Sequence, residues 1–193
     1  MAFDLAVVGA SLGGLHALSA LLAALPATFP LPLVIVQHRG READESLLSA
    51  LRRASGLPLV EAEDKQMLQP GAVYLAPADY HLLVERGSLA LSTEGPVLYA
   101  RPAIDVLFES AADAYAERVI GVVLTGASAD GAQGLAAIKA RGGCAIVQEP
   151  ADAECPVMPQ AALDAAPADY VLPLAEIAPL LIRLSRVMPK VRT

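Results

Sequence analysis

Residues 5–14 read Leu5-Ala6-Val7-Val8-Gly9-Ala10-Ser11-Leu12-Gly13-Gly14, and this stretch decides the fold. Residues 6–9 continue Leu5 as a short apolar run closed by Gly9, and Leu15, Leu18, Leu21, Leu22 and Leu25 follow at helical spacing, so the chain opens as strand, tight turn, helix. A second run, 33–36, is opened by Pro30 and Pro32 and closed by the polar pair Gln37 and His38. Both runs are continuously apolar, as suits strands covered on two faces in a parallel sheet with helices above and below. Working outward, Leu47, Leu48 and Leu51 mark a helix over 46–53. Residues 59–61, 72–76, 81–85 and 89–92 are short strand candidates, with Arg86-Gly87-Ser88 as a hairpin turn. This middle section is expected to be antiparallel and to lie beside the main sheet. The rhythm resumes with Pro102 as a first helical residue and an apolar stripe of Ile104, Leu107, Phe108 and Ala111 reaching Tyr115. Then come a strand over 119–124, a polar loop 125–131, a helix 132–140 stopped by Gly142 and Gly143, and a strand over 145–148. A Pro-rich loop (149–159), a short helix (160–165), a strand (170–172) and a helix (174–187) complete the pattern. The expectation is α/β: a three-layer α/β/α domain over residues 1–188, mainly parallel, with an antiparallel hairpin region in the middle and a short polar tail, 189–193.

Composition narrows the function. The 193 residues are 55% hydrophobic and 18% charged, with mean hydropathy +0.49, enough apolar material for a substantial core and too much for a disordered chain. The net charge of −7 has the wrong sign for a surface that neutralises phosphates, which argues against nucleic acid and anionic membrane as partners. Uninterrupted apolar stretches fall short of a membrane span, and Met1 to Asp4 lack the basic start of a secretory signal, so the cytoplasm is the expected location and membrane insertion is not expected. Cys144 and Cys155 are too few for a disulfide scaffold and show no zinc spacing, which leaves two reduced thiols in or near the core.

In open α/β sheets reactive groups gather where strands end and helix N-termini point inward. Three polar clusters fall at such ends: Gly9 to Gly14, Gln37-His38, and Thr125 to Gly131. A serine, a histidine and an aspartate, each leaving a different strand, form the inventory of a nucleophile, a general base and its orienter. Each has a plainer reading. Ser11 suits a helix N-cap as well as a nucleophile on a glycine-flanked turn, and Asp130, just before Gly131-Ala132, is also a natural cap. His38 can be a hydrogen-bonded residue at the sheet edge. His16 lies inside the first helix and His81 begins a hairpin strand. A dinucleotide site on the same glycines fits poorly, because position 11 is Ser rather than Gly and the second strand ends in Gln37 and His38 rather than an acid. No metal is expected, since no two His or Cys have ligand spacing.

Taken together, the segments resemble the catalytic domain of CheB-type chemotaxis protein-glutamate methylesterases. Those segments are Gly9-Ala10-Ser11-Leu12-Gly13-Gly14, Val36-Gln37-His38, Pro70 to Pro77 with His81, Arg101-Pro102-Ala103-Ile104-Asp105-Val106-Leu107-Phe108, Leu124-Thr125-Gly126 through Asp130-Gly131, and Met158-Pro159. The resemblance implies a catalytic triad of Ser11, His38 and Asp130. It also implies hydrolysis of glutamate γ-methyl esters on chemoreceptor helices through an acyl-enzyme, with methanol released, glutamine deamidation as a second reaction and no cofactor. Leu12, Ala127 and Val157 stand where that family usually has threonine, methionine and glycine, and they motivate the alternative of a catalytically silent receptor-binding module. An NAD(P)-dependent reductase is the more distant alternative. Met1 lies six residues before the first motif, so no receiver domain is expected, and regulation is expected to come from a separate protein, expression level or substrate docking.

Overall fold

The computed structural model describes residues 3–40 and 45–186. In chain order the elements are β1 (Leu5–Ala10), α1 (Gly14–Ala24), β2 (Leu33–Gln37), α2 (Glu45–Ala54), β3 (Leu59–Glu61), β4 (Val73–Leu75), β5 (His81–Glu85), β6 (Ser88–Ser92), α3 (Ile104–Tyr115), β7 (Val119–Val123), α4 (Ala132–Ala140), β8 (Cys144–Gln148), α5 (Val157–Ala165), β9 (Tyr170–Leu172) and α6 (Leu174–Ser185). Seven strands make one sheet in the order β3-β4-β2-β1-β7-β8-β9, and β5 pairs with β6 in a separate hairpin. Every neighbouring pair in the large sheet is parallel. The chain therefore starts at the centre and winds outward in both directions, and β1, flanked by β2 and β7, marks the reversal. At such a reversal the connections diverge to opposite faces and leave a crevice at the carboxyl ends of the strands.

Strand periodicity sorts the core into two layers. Ala6, Val8 and Ala10 of β1 pack with Leu18, Leu22, Leu51 and Leu181 from α1, α2 and α6. Leu5 and Val7 pack on the other face with Leu107, Phe108, Leu135 and Ala162 from α3, α4 and α5, together with Leu82 and Leu89 of the hairpin. All six residues of β1 are buried, which is why it reads as a solid apolar run rather than an alternating one. Leu5, Val7 and Val8 each contribute about 1.5–3 kcal/mol of burial energy. Among the described residues no helix is long and apolar enough to cross a membrane. Both cysteines are free, Cys144 buried and Cys155 half-buried, and burial pushes the Cys144 thiol up to about 12.

The three-layer α/β/α architecture matches the expectation, and the hairpin β5–β6 turns at Gly87, whose φ of 85° is the left-handed conformation glycine adopts freely. The middle section departs from it in part. β3 and β4 are parallel members of the main sheet, not an antiparallel flank. The connection 62–72 is just long enough for a parallel return, and fully buried β4 gains a neighbour on each side by entering between β2 and β3. Pro102 does not open α3, which begins at Ile104 with Ala103 as its N-cap. The helix α5 starts at Val157 and takes in Met158 and Pro159, because a proline in a first turn forfeits no intrahelical bond. The expected last helix is described as far as Ser185; its extension to Val187 and the tail 189–193 lie outside the described residues.

α3 and α4 approach most closely at Gly134, where an added Cβ would lie 2.5 Å from Phe108 Cβ and 3.1 Å from the Asp105 backbone. Neither atom is the free end of a flexible side chain. In Gly134→Ala, overpacking of about 1–3 kcal/mol should therefore outweigh a helix-propensity gain of about 1 kcal/mol. The expected outcome is a lower urea midpoint; an unchanged or raised midpoint would refute this close-contact account.

Candidate active site

The sheet register brings the three polar clusters level. Ala10 pairs with Gln37 and Gly9 with Val123, so Ser11, His38 and Thr125 leave adjacent strands side by side. Backbone bonds continue the ladder past the strands: His38 N–H donates to Ala10 O at 3.0 Å and Ser11 N–H to Thr125 O at 3.0 Å.

Ser11 lies on the turn between β1 and α1, whose N-cap is Gly13 at φ 80°, ψ −5°, with no side-chain capping bond. The capping role open to Ser11 is therefore absent from the structure. Its carbonyl accepts Gly14 N–H at 2.8 Å and Gln37 Nε2 at 2.8 Å. Among the described residues nothing accepts the N–H groups of Leu12 and Gly13, and no acidic residue stands in the first turn of α1. Free N–H groups at a helix start are donors of the kind that suit a developing oxyanion. A cavity of about 720 Å³ opens here, lined by Ser11, Leu12, Gly13, His16, His38 and Glu154.

His38 Nε2 donates to Asp130 Oδ2 at 2.6 Å, with the imidazole 15% exposed and the carboxylate fully buried. No hydrogen bond joins His38 to Ser11, and Nδ1 has no partner among the described residues. Asp130 is not the N-cap of its own helix, α4, a place taken by Gly131. It caps α3 instead: Oδ2 accepts Ile104 N–H at 2.6 Å and Oδ1 accepts Asp105 N–H at 2.9 Å. That capture explains why α3 starts at Ile104 and leaves Pro102 outside. Asp105 returns the exchange on α4, its Oδ1 accepting Gly131 N–H at 2.9 Å and Gly134 N–H at 2.7 Å.

Other candidates resolve differently. His16 is exposed on α1 at the cavity wall. His81 is buried, with Nε2 donating to Gly95 O at 3.0 Å and Nδ1 accepting Ala103 N–H at 3.2 Å, a neutral ring in a structural role. Among the described residues no cluster of three or more His, Cys, Asp or Glu is arranged to hold a metal ion. Glu154 packs its side chain against Gly13, with Oε2 2.8 Å from where a Cβ would stand. Reading the sequence had assigned no role to Asp105, Gln37 or Thr125. Thr125 joins three loops, donating Oγ1–H to Leu12 O at 2.9 Å and accepting Cys155 N–H at 2.8 Å.

Comparison with known proteins fits this arrangement. Residues 6–181 match the family described as CheB methylesterase. The chain belongs to that family. It is 45% identical over 187 residues to a Leptospira interrogans protein, covering 96% of this chain and 97% of that one. It is 43% identical over 181 residues to protein-glutamate methylesterase/protein-glutamine glutaminase 1 of Carboxydothermus hydrogenoformans, covering 91% of this chain and 53% of that protein. The crystal structure of the Thermotoga maritima CheB methylesterase catalytic domain superposes with a TM-score of 0.89 at 35% identity, over 95% of this chain and all of that one. The chain thus spans nearly the whole Leptospira protein and about half of the Carboxydothermus one.

Burial, opposed by the Gly134 and Gly131 N–H bonds and reinforced by the nearby Asp130 charge, pushes Asp105 up to about 6. The folded protein therefore holds a proton that the unfolded chain releases near pH 4. This group's contribution to stability is fully present below about pH 4 and is lost as pH rises through about 6, a change on the order of 2–3 kcal/mol. Asp105→Asn keeps an oxygen for the two N–H groups and removes the charge. The stability of the variant minus that of wild type, read by urea titration, should be greater at about pH 7.5 than at about pH 4.5. A pH-independent difference would contradict the assignment.

Proposed function

We infer that this chain hydrolyses glutamate γ-methyl esters on chemoreceptor helices and also deamidates receptor glutamines, with Ser11, His38 and Asp130 as its triad. The observation that carries the reading is the 2.6 Å His38–Asp130 bond at the wall of a cavity that also holds Ser11 and the open end of α1. The relatives' names supply the ester and amide chemistry.

With Nε2–H committed to Asp130, Nδ1 is the nitrogen that takes the Ser11 proton. Ser11 Oγ then bonds to the ester carbonyl carbon, and the oxyanion is met by the N–H groups of Leu12 and Gly13. Collapse breaks the C–OCH₃ bond as the imidazolium returns its proton to the leaving methoxide, releasing methanol. Water then loses a proton to His38 and attacks the acyl-enzyme, freeing the glutamate carboxylate and Ser11. Asp130 holds the ring and stabilises its cationic form without itself becoming protonated. No cofactor takes part. The absence of a Ser11–His38 bond is in keeping with unliganded sites, where catalytic hydrogen bonds close on substrate binding.

Ser11→Ala should abolish methanol release from methylated receptor membranes while shifting stability by less than about 1 kcal/mol, because this hydroxyl caps no helix. Methanol release that survives the substitution would exclude Ser11 as nucleophile. Labelling of Ser11 by a fluorophosphonate separates an active enzyme from a silent receptor-binding module, which would remain unlabelled. His38→Gln should slow methanol release roughly 10²- to 10⁴-fold with the fold retained; unchanged release would remove His38 as the base.

A further inference from the structure

The geometry points to Gln37 as a positioning residue whose single amide clamps the backbone of the nucleophile to the backbone of the base. This rests on the triad reading above. Gln37 ends β2, level with Ala10 of β1, and is 8% exposed. Its Nε2 donates one hydrogen to Ser11 O at 2.8 Å and the other to His38 O at 2.9 Å. The two residues whose separation governs proton transfer, 27 positions apart in sequence, thus hang from one planar group.

The orientation of the amide follows from its neighbours. Turned over, it would set Oε1 against two carbonyl oxygens and leave both without this donor, so the network fixes Nε2 on that side. As it stands, Oε1 is buried without a hydrogen-bond partner among the described residues. It lies against the first residue of α1, where a Cβ on Gly14 would meet it at 1.9 Å. A native structure that retains a buried orphan acceptor beside a reactive site is held there by what the other end of the group does. Here that end is the clamp. Gly14 is required for the same reason, since a side chain at that position would push the amide off both carbonyls.

Two measurements test this. Fluorophosphonate labelling of Ser11 reads the alignment of nucleophile and base without a receptor, and methanol release from methylated receptor membranes reads turnover. Gln37→Met keeps the length of the side chain and removes both donors. The expectation is a labelling rate and kcat each reduced roughly 10- to 100-fold, KM within about twofold of wild type, and a thermal midpoint lowered by no more than about 10 °C with the fold retained. Gln37→Glu, the closest match in shape, should be equally slow at pH 8, because a carboxylate offers the two carbonyls no proton. Recovery by Glu would show that shape rather than donation matters and would overturn the proposal. Equal labelling of wild type and Gln37→Met would overturn it while leaving the methylesterase reading intact, as would a raised KM with labelling unchanged. A wild type that neither labels nor releases methanol would overturn both readings. Should Gln37→Met fail to fold, Gly14→Ala takes its place: it displaces the amide without removing it, the same slowing is expected, and wild-type labelling in that variant would refute the clamp.

Discussion

The site depends on an exchange of carboxylates between two helices. Asp130, at the entrance to α4, satisfies the first N–H groups of α3, and Asp105, in the first turn of α3, satisfies those of α4. Hydrogen bonds to charged groups contribute about 1.5–3 kcal/mol each, and four of them here offset the burial of two acids that water would otherwise hold. The compensation is unequal. Asp130 has His38 as a further partner, whereas Asp105 faces the Asp130 charge across a buried interface and is the carboxyl pushed up to about 6. The exchange also dictates glycine at two places. Gly131 takes φ 98° as the α4 N-cap, and Gly134 lets the helices close enough for both carboxylates to reach. His38 receives its partner only because this packing fixes where Asp130 stands.

Much of this was legible in the sequence, and the parts that were not share a cause. The run 5–14 announced strand, turn and helix because its signals are local: an apolar run, glycines and a leucine stripe. Ser11, His38 and Asp130 were singled out because each follows a buried strand, and exits from parallel strands share one edge. The parallel pairing of β3 and β4 could not be read from three-residue runs, since direction is settled by the burial of Val73, Tyr74 and Leu75 between two partners rather than by local pattern. Pro102 was read as a helix start on its own merits, but the start of α3 is set by Asp130, 26 residues away. The role of Asp105 was hidden for the same reason. One signal was present, an acid in the first turn of an otherwise apolar helix beginning, but which helix it serves is a tertiary fact.

The loops around Ser11 are held by small residues for a similar reason. A Cβ on Gly126 would lie 2.9 Å from Ser11 Cβ and 2.6 Å from Met158 Cε. The β7 exit therefore packs directly against the Ser11 turn and against α5. Thr125 then bonds the turn to the Cys155 loop, and Gln148 Oε1 accepts Thr125 N–H at 3.0 Å while its Nε2 donates to Asp152 at 3.0 Å. Asp152 in turn caps α6 through Leu174 N–H at 2.8 Å, and that bond with the Gln148 contact holds its carboxyl below the usual carboxylate range. A path of single hydrogen bonds thus runs from the Ser11 turn to the last described helix, so the rigidity of the turn is supplied from outside it.

Three helix N-termini converge on the centre of the sheet, and the fold treats them unequally. Those of α3 and α4 are filled by each other's carboxylates. That of α1 has no side-chain cap and no acid in its first turn. Leaving a helix uncapped forgoes about 1 kcal/mol, and the gain is that free N–H groups and a positive helix end remain beside Ser11. The first two helix ends are thus filled by carboxylates, while no side chain bonds the third and its N–H groups stay beside Ser11.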